Sequence, residues 1–230
     1  AHGPHDPDRG LVAYAYDAFG NKLTVVTRSD SSTTRTTAYE YDKNNRVTRI
    51  TYQDNLLGEE QSGYDVYGNQ WYKRQKNATN DWKTTFYRYD DLNRVTDVYY
   101  TSTADTRPTA YPTGSSDVQY TYDGGSGLRL QMTDSQGTST YEYDTQGRMT
   151  KYTPPVGLAT DYYVQYDYNN LGQQTLVKIT DGTNTDYDLK YDYFANGWLK
   201  DARTGDGSGT YSDLARFSYN PVGTRSRQDN

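Results

Sequence analysis

A ten-residue pattern returns nine times along this chain, and no other feature constrains its folding as strongly. In the copy Tyr141-Glu-Tyr143-Asp144-Thr-Gln-Gly147-Arg148-Met149-Thr150 the second tyrosine is the anchor. Its equivalents are Tyr16, Tyr41, Tyr64, Tyr89, Tyr122, Tyr168, Tyr193 and Tyr219, at steps of 25, 23, 25, 33, 21, 25, 25 and 26 residues. A period near 25 residues is the mark of a repeat architecture, in which one supersecondary unit is stacked many times. Two positions before each anchor the residue is again aromatic, except at Ser62.

The residues after the anchor define a turn. Asp or Asn follows it in eight of nine units, among them Asp17, Asp42, Asp65, Asp90 and Asp144, with Phe194 as the departure. Three residues further stands Gly or Asn: Gly20, Asn45, Gly68, Asn93, Gly147, Gly172, Gly197 and Gly223. The fifth unit places Ser126 there and Gly127 one residue late. Asp at the first position and Gly or Asn at the fourth predict a type I turn followed by a residue at positive φ. Such a turn closes a hairpin with a G1 bulge. Each unit is therefore expected to be a β-hairpin and the fold to be all-β, an antiparallel array of tandem hairpins. Residues 1–10, with Pro4, Pro7, His2 and His5, read as a linker, and residues 11–230 as one continuous array of nine units.

These Tyr-Asp units resemble the YD-repeat, or Rhs-repeat, family. That family includes bacterial Rhs toxins, shell components of insecticidal toxin complexes and the extracellular part of teneurins. The resemblance runs from about Tyr14 to the end of the chain. It implies a curved or spiral sheet, part of a β-shell around a cargo or toxin polypeptide, in a large secreted or cell-surface protein of bacterial type. Family shells also carry a self-cleaving core with an Asp-Pro-x-Gly-Arg element. The nearest string here, Asp6-Pro7-Asp8-Arg9-Gly10, reverses Arg and Gly and lies at the other end, so no protease residue is carried over.

Composition sets the remaining bounds. Leu, Ile, Val and Phe number 31 of 230 residues, few enough to suggest disorder. Against that stand 27 tyrosines at fixed spacing, which favour strands and can bury a ring while the hydroxyl stays wet. No apolar run approaches the roughly 20 residues of a membrane-spanning helix. The net charge of −6 and the scattered arginines, among them Arg46, Arg94 and Arg148, argue against a nucleic-acid groove.

Chemistry-bearing signatures are sparse. There is no cysteine, and histidine occurs only at His2 and His5, so nucleophilic Ser–His or Cys–His machinery is not expected. The repeated aspartates are expected to serve turns, and no enzyme activity, cofactor or metal is assigned. Calcium-like strings at Gly124–Arg129 and Asp181–Asp186 lack the ligand spacing of known motifs. Asn77-Ala78-Thr79 is a glycosylation sequon. The partners expected are the cargo polypeptide or neighbouring repeats. The rival reading is a module that binds glycan or protein through aromatic side chains, or one that self-associates through edge strands. Trp82, placed in a connector, is the candidate for surface recognition. The longest connector, 101–117, is expected to project from the sheet.

Overall fold

The computed structural model describes residues 11–28, 34–53, 58–76, 81–103, 107–155, 162–181, 183 and 185–229. Its described elements are strands throughout. They fall into two compact units, divided between Val118 and Gln119.

In the first unit the strands are β1 (Val12–Tyr16), β2 (Lys22–Arg28), β3 (Thr34–Tyr41), β4 (Val47–Tyr52), β5 (Glu59–Tyr64), β6 (Gln70–Lys76), β7 (Trp82–Tyr89) and β8 (Val95–Thr103). Each pairs antiparallel with the next along the chain. The second unit continues with β9 (Val118–Tyr122), β10 (Arg129–Asp134), β11 (Gly137–Tyr143), β12 (Met149–Thr153), β13 (Tyr163–Tyr168), β14 (Gln174–Thr180), β15 (Thr185–Tyr193), β16 (Leu199–Gly205), β17 (Tyr211–Tyr219) and β18 (Arg225–Asp229). From β9 onward the strands again pair in sequence order. Every anchor tyrosine ends the first strand of a hairpin, as the repeat predicts.

All nine hairpins share one irregularity. Ala15 faces Thr24 while Tyr16 faces Lys22, leaving Leu23 as an extra residue. The same slip leaves Thr48, Trp71, Thr96, Leu130, Thr150, Thr175, Lys200 and Ser226 extra. A bulge of this kind resolves the i, i+3 apolar pairs of the returning strands. Val47 faces Tyr41 and Ile50 faces Tyr39, so both lie on the face of those two tyrosines. In the β1–β2 hairpin the equivalent pair is Lys22 and Val25, because Leu23 is itself the bulged residue. The aromatics two residues before the anchors also have regular partners: Tyr14 faces Val25, Tyr87 faces Val98 and Tyr166 faces Val177. Aromatic and β-branched cross-strand neighbours of this type stabilise a sheet that has few aliphatic residues.

Over its described residues the 101–117 connector does not project. β8 extends through Thr103, and residues 107–117 fold back onto the first unit. Tyr111 packs edge-on against Trp71 with ring centroids 5.4 Å apart, and touches Phe86. Its hydroxyl donates to the Tyr87 carbonyl at 3.0 Å. Ser116 Oγ donates to Asp97 Oδ1, and the Tyr100 N–H to Asp117 Oδ2. Polar side chains along the connector thus find partners on the sheet, and its one aromatic ring finds an apolar face to cover. That face is the core of the first unit, built on Tyr72, Phe86 and Tyr99. Of the buried hydrophobic residues in the described structure, Phe217 alone belongs to the second unit.

Candidate functional site

The row of turns is where the repeat concentrates its polar chemistry. In the first turn the Gly20 N–H donates to the Asp17 carbonyl and the Asp17 N–H to the Asn21 carbonyl, closing a three-residue loop. Gly20 sits at φ 86°, and Asn45 and Asn93 take the same left-handed position at 61° and 60°. The fifth turn is one residue longer, and Gly127 rather than Ser126 takes positive φ, with its N–H donating to the Asp123 carbonyl.

Where a turn opens on aspartate, that side chain locks it from inside. Asp144 Oδ1 accepts the N–H groups of Gln146 and Arg148 at 2.9 and 3.0 Å. Its Oδ2 takes the Arg148 guanidinium at 2.7 Å. Asp42 with Arg46 and Asp90 with Arg94 repeat this arrangement. Asn21 and Asn69 fill the arginine's place beside Asp17 and Asp65. The backbone N–H of the residue four positions on, followed by its guanidinium, holds the carboxyls of Asp42 and Asp90 below the usual aspartate value; for Asp144 the same N–H contributes most. For Asp17 the leading cause is the Asn21 amide. Asp123, immediately before one of the calcium-like strings, accepts at its Oδ1 from Gly125 N–H, Ser126 N–H and Ser126 Oγ. In the other string Asp181 Oδ1 accepts the Thr183 N–H. Among the described residues no three His, Cys, Asp or Glu side chains gather as metal ligands. His2, His5 and the Asn77 sequon lie outside the described residues.

The anchor tyrosines join one hairpin to the one before it. The Tyr41 hydroxyl donates to the carbonyl of Lys22, the residue facing Tyr16. Tyr64 reaches the carbonyl of Val47, which faces Tyr41, and Tyr89 that of Gln70, which faces Tyr64. In the second unit Tyr143, Tyr168 and Tyr193 make the same bond to Arg129, Met149 and Gln174, at 2.7–2.9 Å. Burial pushes the hydroxyls of Tyr89, Tyr168 and Tyr193 up from their ordinary value, so they remain proton donors well above neutral pH. The turn arginines add to the joint: Arg46 lies 4.4 Å over the Tyr64 ring and Arg148 4.7 Å over Tyr168. The remaining anchors sit at the same strand ends, and Tyr219 packs against Trp198 at 4.9 Å. Gly68, Gly172, Gly197 and Gly223 all occupy the left-handed turn position.

Trp82 is misplaced in the sequence reading. It opens β7 rather than lying in a connector, and is only 2% exposed. The Arg74 guanidinium stacks 4.0 Å over its ring, so this side chain is closed to a surface ligand. A lone tryptophan among polar residues gives no sign, in sequence, that a strand begins at it.

Sequence reasoning also missed a pairing of turns in the first unit. Asn21 Nδ2 donates to Asn45 Oδ1 at 2.8 Å, and Asn69 Nδ2 to Asn93 Oδ1 at 2.7 Å. The signal was present: turns ending Gly-Asn alternate with turns ending Asn-Arg, and the pair recurs 48 residues later. Each pair of turns encloses an open cleft. One is lined by Asp17, Phe19, Asn21, Tyr41, Asp42 and Asn45, the other by Asp65, Tyr67, Asn69, Tyr89, Asp90 and Asn93.

Comparison with known proteins gives a family match and structural likenesses. The chain is similar to a solved TcdB2-TccC3-TEV structure, at 14% identity and a TM-score of 0.43, over 96% of this chain and 15% of that one. A TcdB2-TccC3 structure without its hypervariable C-terminal region gives 13% identity and a TM-score of 0.43, over the same shares. The Photorhabdus luminescens Tc holotoxin pore gives 14% identity and a TM-score of 0.30, again over 96% and 15%. The chain thus spans about 15% of the length of the solved chains it matches. No curated protein sequence matches it. Residues 122–159 match the family model described as RHS Repeat. That span holds the hairpin of β11 and β12 with Tyr143, Asp144 and Gly147, and over it the resemblance read from the Tyr-Asp units is borne out.

Proposed function

We propose that this chain is a non-catalytic wall segment of a larger secreted or surface protein, one that encloses a cargo polypeptide. The supporting observation is the use made of the repeat's defining residue. Six anchor tyrosines spend their hydroxyls on the carbonyl of the preceding hairpin, at equivalent positions. A repeat whose most regular side chain joins it to its neighbour is built to extend a sheet. The described turn aspartates are likewise spent inside their own turns, on backbone N–H groups and on the side chain four residues on. In this reading residues 11–230 act as one continuous array, and the 1–10 segment as a linker.

The test uses the full open reading frame that contains this chain. Limited proteolysis across a denaturant series should show the cargo segment protected until the repeat hairpins unfold, with both lost at one midpoint. Rapid cleavage of every flanking segment while the hairpins stay intact would rule out enclosure.

A further inference from the structure

Consecutive hairpins join in one fixed way, and the two halves of that joint recur at the outer strands of the described array. We propose that copies of this chain associate head to tail, the open edge of β1 in one copy adding to β18 of another.

The joint has a constant register. The residue two past the one that faces an anchor pairs with the residue three before the next anchor. In the first unit these pairs are Thr24 with Ala38, Arg49 with Gln61 and Tyr72 with Phe86. In the second they are Gln131 with Thr140, Lys151 with Gln165, Leu176 with Lys190 and Asp201 with Arg216. At six of these joints the next anchor's hydroxyl also donates to the carbonyl of the facing residue. A joint therefore has a plug, the tyrosine hydroxyl, and a socket, the carbonyl on the strand before it.

β1 carries the plug without a described socket. Among the described strands it pairs with β2, and Val12, Tyr14 and Tyr16 are 43%, 52% and 56% exposed. The Arg28 N–H donates to the Leu11 carbonyl. By the alternation of an antiparallel ladder, Val12 and Tyr14 then turn their backbone N–H and C=O groups away from β2. The strand reads Val-Ala-Tyr-Ala-Tyr, without the charges or proline that usually blunt an edge. At the far end of the array Arg225 faces Tyr219 and so stands at the socket position. The common register sets Ala13 opposite Arg227, Val12 opposite Gln228 and Tyr14 opposite Ser226, with the Tyr16 hydroxyl on the Arg225 carbonyl. Pairing β1 with β1 would give that hydroxyl no returning strand to reach. A head-to-tail contact leaves one β1 and one β18 open at the ends of every oligomer, so growth does not stop at the dimer.

The experiment follows the purified chain by light scattering and sedimentation over a concentration series. Its mean mass should rise with concentration past that of a dimer. Val12→Pro removes an edge donor outside the β1–β2 ladder and should keep the chain monomeric at a nearly unchanged melting temperature. Tyr16→Phe should weaken association by about 2- to 10-fold, the loss of one neutral hydrogen bond. The chain has no cysteine, so Ala13→Cys with Arg227→Cys tests the register directly. These two form a non-hydrogen-bonded pair in the proposed joint, with Cα atoms about 4.5 Å apart, within disulfide range. Mild oxidation should give a ladder of covalent oligomers, and neither single-cysteine variant should pass the dimer. A chain that stays monomeric throughout, growth that stops at a dimer, association untouched by Val12→Pro, or a disulfide closed within one chain would each overturn the proposal. None of these outcomes bears on enclosure of a cargo, which the proteolysis of the full reading frame tests separately.

Discussion

A β-carbon added to Gly147 would meet only Leu128 Cδ1, at 3.7 Å, so nothing at this turn excludes a side chain on grounds of space. What excludes it is the backbone, held at φ 78°. Gly147→Val is therefore expected to cost about 1–3 kcal/mol in denaturant unfolding. Gly147→Asn should be nearly neutral, because Asn45 and Asn93 already hold this conformation. Equal costs for the two would show that the turn's φ is not the constraint. The neighbouring aspartate gives the turns a pH dependence. The carboxyls of Asp17, Asp42, Asp90 and Asp144 titrate below 3.8, their ordinary value, when folded. A depressed folded pKa contributes stability that is present above the unfolded value and lost as pH falls through the folded one. The melting temperature should hold from pH 7 to about 5 and fall below about 4. Asp42→Asn with Asp90→Asn and Asp144→Asn should flatten that fall, and an unchanged slope would show that other groups carry it. This level of the structure was legible in the sequence, because a turn's chemistry is set by residues at most four apart. Even the exception was readable: the displaced Gly127 marks a turn one residue longer. The tyrosine joint was not legible, since Tyr143 and Arg129 meet only once two hairpins are side by side.

Among the strands, β5 departs most from the repeat, with Ser62 and Gly63 where its siblings carry larger residues. Gly63 is directly opposite Tyr72, whose Cε1 would lie 2.0 Å from an added β-carbon. The ring lies across the bare backbone and packs on Trp71 and Phe86. Covering a strand glycine with a cross-strand aromatic offsets the weakness of glycine in a sheet. Gly63→Ala should force Tyr72 out of that position and destabilise by about 1–3 kcal/mol, in contrast to the usual benefit of alanine over glycine. A stabilised variant by thermal unfolding would show that Tyr72 has room to move. At this scale the alternation of each strand was readable but its bulge was not, because a bulge shows in sequence only as an i, i+3 spacing. The connector after β8 was misread for a related reason. Its prolines and glycine signal a loop, but nothing local says that Tyr111 covers Trp71 and Phe86.

The two units hold together by different means, and that difference is open to measurement. In the first, Tyr72, Trp82, Phe86, Val98 and Tyr99 are buried, along with Arg74 under the Trp82 ring. In the second, the buried side chains are mostly polar: Ser139, Thr180, Asp188 and Asp201 besides Phe217. Tyrosine joints occur in both, so they cannot account for an imbalance between them. Apolar burial contributes roughly 25 cal/mol per Å², whereas a hydrogen bond that replaces one to water nets only about 1 kcal/mol. Stability in a sheet whose strands touch only their sequence neighbours is local, a sum over hairpins and the joints between them. Amide hydrogen exchange should therefore be slowest in β6, β7 and β8 and distinctly faster throughout β11 to β18. Within the second unit, protection should be similar across the hairpins of β11 to β16, since each rests on a three-residue turn and a tyrosine bond. If β13 to β16 exchange as slowly as β6 to β8, the tyrosine joints rather than the aromatic core set the stability of the array. Tyr168→Phe, which deletes one joint and keeps the ring, would then accelerate exchange in β12 and β13 well beyond the change that one exposed hydroxyl could cause.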